Sequence, residues 1–142
     1  MANGGADVLS EHVAGRSQEE MDQIRALRIG MTIQELHSEP EPWFGVRRQD
    51  VLWVDEATHV VAVVNAPSHG VGMEIERAIL KPARGLPVTP ILCLVHQDMA
   101  PKISFMIRGV SKEECSVFSI ETYTDRDEAK EQIRNFLTNN PL

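Results

Sequence analysis

The stretch of sequence that decides the fold is His59–Ala66, which reads His-Val-Val-Ala-Val-Val-Asn-Ala. Its centre is continuously apolar and mostly β-branched, and a proline follows it directly. A run of this length bounded by turn-forming residues predicts a strand buried on both faces, as in parallel sheets. Thr89–His96 and Ser116–Tyr123 have the same character and predict two further strands.

Helical patterns separate these strands along the chain. Arg47–Ala57 precedes the first strand, Met73–Leu80 follows it, and a last helix, capped by Thr124 with Asp127, ends the chain. Alternating strands and helices imply a parallel sheet with helices on both faces and right-handed crossovers. The predicted class is α/β, with the three layers of flavodoxin-like and Rossmann-like folds.

The N-terminal third of the chain is less regular. Ala6–Val13 is short and mixed and predicts one more strand. Ser17 with Glu20 forms a capping-box pattern, which predicts a helix that ends near Gly30. Residues 31–46 carry two closely spaced prolines, which favours a loop or an insertion.

Length and charge limit the classes of function. The 142 residues suit a single domain over positions 1–142, and the net charge of −7 argues against duplex nucleic acid as a partner. Apolar runs are too short to cross a membrane, and the N-terminus has no signal-peptide pattern. We therefore expect a cytoplasmic protein, with the nucleus as a second compartment. The cysteines and histidines lack metal-ligand spacing, so no metal site is expected.

The segment after the first predicted strand is the richest candidate for a binding site. Ligands of open α/β sheets bind outside the carboxyl ends of the strands. Ser68 supplies a hydroxyl there, and Gly70 and Gly72 would allow close approach of the backbone. The N–H groups of the following helix would attract an anion. A helix N-cap is an equally good interpretation of Ser68. The spacing matches no motif for nucleoside triphosphates or NAD.

Two carboxylates lie near the same predicted strand. Glu74 falls in the first turn of the helix that follows, where complementing the helix dipole is the simpler interpretation. Asp50 lies near the start of the helix that precedes, and alone it reads as a solvated acid. Paired carboxylates suit glycosidic chemistry, although sequence spacing does not establish that these two meet.

Four segments together resemble a known family. Pro67–Ile75 resembles the nucleoside 2-deoxyribosyltransferase-like superfamily, and within it the 2'-deoxynucleoside 5'-monophosphate N-glycosidases. Val8–Val13, Gln49–Trp53 and Ile103–Gly109 fit further segments of that family in the same order. The resemblance runs from Val8 to Leu137.

The resemblance implies an activity and the residues that perform it. The implied reaction is hydrolysis of a deoxynucleoside 5'-monophosphate to a free base and deoxyribose 5-phosphate, without a cofactor. Glu74 matches the family's nucleophile, which forms a glycosyl ester. Asp50 matches a second carboxylate that orients the sugar or assists the leaving base. His12 matches a residue near the base.

The resemblance also implies how the phosphate is bound. Ser68 matches a ligand of the 5'-phosphate, with Gly70 and Gly72 in the turn beside it. Ser104 matches a serine that reaches the phosphate from the other subunit of a homodimer, and Met106 matches a residue of that shared site. Serines at these places favour a monophosphate over an unphosphorylated nucleoside.

The sequence departs from the family at its N-terminus. The family begins with a central strand and a Gly-Ser-Ile-Arg-Gly-Gly loop, whereas the match begins here at the family's second strand, at Val8. We therefore expect an N-terminally shortened fold. This departure favours an alternative, a non-catalytic nucleotide-binding or interaction module. A nucleoside deoxyribosyltransferase is a further alternative, against which Ser68 and Ser104 argue.

Overall fold

The computed structural model of the protein describes residues 17–28, 30, 32–38 and 41–142. The chain divides into two compact units, residues 1–53 and residues 54–142. The predicted strand Ala6–Val13, which includes His12, lies outside the described residues. The prediction of one domain stays a prediction.

The first unit is helical where it is described. α1 spans Gln18–Arg28 and α2 spans Ile33–Ser38. α1 begins where the capping-box pattern predicts it, because the Ser17 hydroxyl accepts a hydrogen bond from the Glu20 N–H at 3.1 Å. α1 and α2 pack against each other.

The prediction of a loop over residues 31–46 is wrong. Thr32 and Glu35 form a reciprocal capping box: the Thr32 hydroxyl accepts from the Glu35 N–H at 3.1 Å, and the Glu35 carboxylate accepts from the Thr32 N–H at 2.7 Å. These bonds to Thr32 hold the pKa of Glu35 below its usual value. α3 spans Pro42–Glu56, so it begins five residues before the predicted Arg47. Proline is tolerated there because the first helical position needs no N–H.

The second unit contains the predicted parallel sheet. β1 (Val60–Val63), β2 (Ile91–His96) and β3 (Phe118–Tyr123) pair in the order β1-β2-β3, both pairs parallel. Cys93 stands at the centre, opposite Ala62 on one side and Ile120 on the other. The first five residues of β2 are buried, as a central strand covered on both faces requires.

Helices cover the two faces of this sheet. α4 (His69–Ile79) packs its apolar stripe on one face, with the side chains of Ile91, Cys93 and Val95. α6 (Arg126–Asn139) places Phe136 on the other face, against Leu92 and Leu94. The alternation of neighbours along β2 is the period of two expected of a strand. The predicted three-layer α/β class, typical of flavodoxin-like folds, is confirmed in this unit.

Short helices complete the unit. A 3₁₀ turn, Pro82–Arg84, leads from α4 toward β2, and a second, Ala100–Lys102, precedes α5 (Phe105–Arg108). The α6 N-cap is Asp125 rather than Thr124, since the Asp125 carboxylate accepts from two backbone N–H groups of the first turn, both at 2.9 Å.

Among the described residues, no helix combines the length and apolar character needed to cross a membrane.

Candidate active site

The carboxyl end of the sheet in residues 54–142 gathers most of the predicted binding residues. β1 leads through Asn65 and Ser68 into α4, and β2 leads through the second 3₁₀ turn into α5. Because the three strands are parallel, these connections leave the sheet at one edge. This edge is the candidate active site.

Ser68 is the N-cap of α4. Its hydroxyl oxygen accepts a hydrogen bond from the Val71 N–H at 3.3 Å, and its backbone is extended, as is usual for an N-cap. The N-cap interpretation is therefore confirmed. It does not exclude a ligand, because a hydroxyl that accepts one bond still has its own hydrogen to donate. Ser68 is exposed, so that hydrogen is accessible from solvent.

Gly70 and Gly72 lie inside α4, which begins at His69, four residues before the predicted Met73. The prediction of a glycine turn is wrong, because the Ser68 cap starts the helix directly; the Gly72 N–H already bonds the Ser68 carbonyl at 3.1 Å. Neither glycine has a positive φ. A Cβ added at either would meet no atom within 4 Å, so open space lies beside the first turn of α4.

Glu74 lies half-buried in the second turn of α4, not in its first turn. A carboxylate there gains little from the helix dipole, whose effect is confined to the terminal turn. Asp50 lies half-buried in the middle of α3, rather than near its start, because α3 begins early. Glu74 belongs to residues 54–142 and Asp50 to residues 1–53. That the two carboxylates act together stays a prediction.

Ser104 and Met106 lie at the start of α5. The Ser104 hydroxyl accepts a hydrogen bond from the Met106 N–H at 3.2 Å, so this serine is also an N-cap. Phe105 and Met106 are 86% and 83% exposed, which is unusual for large apolar side chains. The Arg108 guanidinium donates to the Ala100 carbonyl, which ties α5 to the preceding turn.

A network of hydrogen bonds that the sequence did not predict joins the ends of the three strands. Asn65 accepts from the His96 N–H and donates to the Tyr123 hydroxyl, both at 2.6 Å. The His96 ring packs edge-on against the Tyr123 ring at 5.5 Å, and its Nε2 lies 3.1 Å from the Thr124 carbonyl. The sequence signal for it is Asn65, an asparagine two residues beyond β1.

Charged residues at the opposite, amino end of the sheet bind one another. The Asp55 carboxylate accepts two hydrogen bonds from Arg77, at 2.9 and 2.7 Å, and two from Arg84, at 2.5 and 3.3 Å. The bonds from these guanidiniums hold the pKa of Asp55 well below its usual range. Asp55 is therefore not a solvated surface charge. Arg77 is likewise engaged, not solvated.

Lys81 completes this amino-end cluster. Its side chain is buried, and its Nζ donates to the carbonyls of Ala57 at 2.7 Å and Val54 at 3.3 Å, near the C-terminus of α3. Burial lowers the pKa of Lys81. An ammonium at this place satisfies carbonyls that the helix itself leaves without partners. Across the described ranges, no three His, Cys, Asp or Glu side chains converge as a metal site would need.

Comparison with known proteins identifies similar chains. A protein of Thermofilum pendens, provisionally named 2'-deoxynucleoside 5'-phosphate N-hydrolase 1, is 34% identical over 133 residues, 94% of this chain and 75% of the relative. A protein of Methanosarcina mazei with the same provisional name is 29% identical over 96% of this chain and 68% of its own length.

A third relative is more similar over a shorter range. The 5-hydroxymethyl-dUMP N-hydrolase of Branchiostoma floridae is 42% identical over 64 residues, 45% of this chain and 55% of the relative. No protein-family model matches the chain.

Proposed function

The chain belongs to the 2'-deoxynucleoside 5'-phosphate N-hydrolase family, and we propose that it hydrolyses the N-glycosidic bond of deoxynucleoside 5'-monophosphates. The products are a free base and deoxyribose 5-phosphate. The observation that carries this proposal is the 34% identity with the Thermofilum pendens protein, because it extends over 94% of the chain and so includes the segment from Ser68 to Glu74.

Glu74 is the proposed nucleophile. Its carboxylate attacks the anomeric carbon of the sugar, and the bond from that carbon to the base breaks with its electron pair going to the base. The base takes up a proton as it leaves. Water then attacks the same carbon, and Glu74 departs as a carboxylate while one proton goes to solvent. Two displacements at one carbon give retention of configuration. Asp50 orients the sugar or assists the departing base.

The 5'-phosphate binds at the first turn of α4. The Ser68 hydroxyl donates to a phosphate oxygen, and the exposed N-terminal turn adds N–H groups and the positive end of the helix dipole. The open space beside Gly70 and Gly72 supports close approach of the phosphate. Ser68 and Glu74 are six residues apart on α4 and its cap, which separates their Cα atoms by about 9 Å along the helix axis.

A second copy of the chain completes the phosphate site. Ser104 donates its hydroxyl in trans, with Met106 beside it. The support for this assignment is the high exposure of Phe105 and Met106, since a homodimer would cover this apolar pair. Protein sedimenting as a monomer at the concentration where it is fully active would contradict the role of Ser104 in trans.

The decisive experiment is chromatographic detection of products from each common deoxynucleoside 5'-monophosphate and from 5-hydroxymethyl-dUMP. The wild type should release free base, and Glu74→Gln should release it at least about 10³-fold more slowly, as loss of a nucleophile requires. Glu76→Gln is the matched control, because Glu76 is exposed on the same helix and should leave turnover unchanged.

The two alternatives give different products. A non-catalytic module would bind the monophosphate without releasing base, in protein shown to be folded by circular dichroism. A nucleoside deoxyribosyltransferase would transfer the sugar to an added acceptor base faster than to water. Turnover by Glu74→Gln at the wild-type rate would remove Glu74 from the mechanism while leaving the activity in place.

A further inference from the structure

Asn65 lies just beyond the carboxyl end of β1. It follows β1 by two residues and precedes the Ser68 cap by three, and its side chain reaches both of the other strands, β2 and β3, at once. The orientation of its amide is fixed by chemistry: the His96 N–H can only donate, so the oxygen of Asn65 must face it and the nitrogen must face Tyr123. One side chain therefore ties together the carboxyl ends of β1, β2 and β3.

This connection lies where the regular ladder ends. The Val64 N–H donates to the Leu94 carbonyl at 2.9 Å, and the side chain of Asn65 then continues the link from β1 to β2. Ala66 and Pro67, which lead from Asn65 to Ser68, are both exposed and contribute little packing. Ser68 is thus held to the sheet in two ways, by the packing of α4 and, through this short exposed segment, by Asn65.

We propose that Asn65 is a positioning residue, which fixes the Ser68 cap and the first turn of α4 for the 5'-phosphate by bonding the His96 N–H and the Tyr123 hydroxyl. This inference rests on the proposed function. Asn65 acts through Ser68. Tyr123 supports it from β3, since its hydroxyl accepts the amide hydrogen of Asn65 at 2.6 Å.

The test measures, for each variant, how much the 5'-phosphate of the substrate contributes to kcat/KM. For each protein, kcat/KM is measured for the best deoxynucleoside 5'-monophosphate and for the same deoxynucleoside without phosphate, and the ratio defines the phosphate preference. Asn65→Leu keeps the side-chain size but removes both hydrogen bonds. It should lower the phosphate preference about tenfold, mainly through a higher KM for the monophosphate, because misplacing a binding group by a fraction of an ångström weakens its bonds.

Two further variants separate positioning from stability. Tyr123→Phe should lower the preference about threefold, and the double variant should match Asn65→Leu, because both changes act on one network. Ser119→Ala is the matched control: the Ser119 hydroxyl donates to the Ile91 carbonyl at 3.4 Å, joining β3 to β2 near their amino ends. It should lower stability slightly and leave the phosphate preference unchanged.

The outcomes are distinguishable. A phosphate preference in Asn65→Leu equal to that of the wild type, in folded protein, overturns the positioning role and leaves the proposed function intact. An equal loss for monophosphate and nucleoside also overturns it, since that is the result of general destabilisation. If the wild type releases no base, the same comparison is made on dissociation constants by calorimetry. Wild-type protein that releases no base and binds the monophosphate no more tightly than the nucleoside overturns both proposals.

Discussion

The two ends of the sheet in residues 54–142 use polar side chains differently. At the amino end, Asp55 receives four hydrogen bonds from Arg77 and Arg84, and the ammonium of Lys81 is buried against backbone carbonyls. At the carboxyl end, Ser68 is exposed and accepts a bond from the backbone while keeping its own hydrogen to donate. The amino end is thus built for stability, and the carboxyl end is able to receive a ligand. Substitutions at the two ends should separate these roles.

The largest loss of stability is expected at Lys81. Lys81→Ala removes a buried side chain and leaves the Val54 and Ala57 carbonyls without their donor, which should reduce the free energy of unfolding by about 3 kcal/mol. Lys81→Met is the matched control, because it keeps most of the packing and should cost about 1 kcal/mol. Urea unfolding followed by circular dichroism measures both. Equal effects of the two variants would show that the ammonium, not the packing of the side chain, is what α3 needs.

A smaller loss is expected at Asp55. Asp55→Asn cannot pair two guanidiniums and should reduce the free energy of unfolding by about 2 kcal/mol at pH 7, a value below that of fully buried pairs because these side chains are 23–33% exposed. The folded-state pKa lies below the unfolded value of 3.8, so the wild-type advantage is complete above that pH. It should shrink as the pH falls below about 4. An advantage that persists unchanged at pH 2.5 would contradict this assignment.

At the carboxyl end, substitution of Ser68 should separate capping from phosphate binding. Ser68→Ala should reduce the free energy of unfolding by about 1 kcal/mol, through loss of the N-cap. Ser68→Asp restores the cap and the stability, yet its charge repels a phosphate and should raise KM for the monophosphate at least about tenfold. Thermal melts and steady-state kinetics on the same preparations give both quantities. A Ser68→Asp variant with the wild-type KM would exclude the phosphate from this turn.

The smallest effect on stability, with the opposite sign, is expected at Gly70. Gly70→Ala should raise the free energy of unfolding by about 0.5–1 kcal/mol, because the position is helical and a Cβ meets open space. The same methyl would face a phosphate at the helix start and should lower kcat/KM. Gly109→Ala is the contrast, since its Cβ would lie 2.8 Å from the Phe105 carbonyl oxygen. Gly70→Ala that gains stability and keeps full activity would place the phosphate elsewhere.

The sheet could be predicted from sequence because its signals are local. The apolar run around Val60–Val63 and the run around Ile91–His96 are each sufficient to specify a buried strand, and their order specifies parallel pairing. The helix boundaries are harder to predict from sequence. Thr32 with Glu35 is a capping box, and Pro42 is an acceptable first helical residue, yet both stood in a stretch whose prolines indicated a loop.

The polar contacts could not be predicted, because they depend on tertiary structure. Asp55 is 22 residues from Arg77 and 29 from Arg84, and Asn65 is 58 residues from Tyr123. No periodicity links such distant positions. The candidate residues of the active site came from a family pattern, and the structure adds the local reason for two of them: Ser68 and Ser104 each begin a helix.

The buried thiol of Cys93 can be used to measure how often the core of the protein opens. Burial leaves the Cys93 side chain inaccessible and raises its pKa to about 12, whereas Cys115 is partly exposed. A thiol-specific reagent should therefore modify Cys115 quickly and reach Cys93 only when α4 moves away from its face of the sheet, because reaction needs an accessible thiolate. The slow phase of modification measures how often this face of the core opens, without any introduced label. By the same logic, oxidants in the cell would damage Cys115 long before the core.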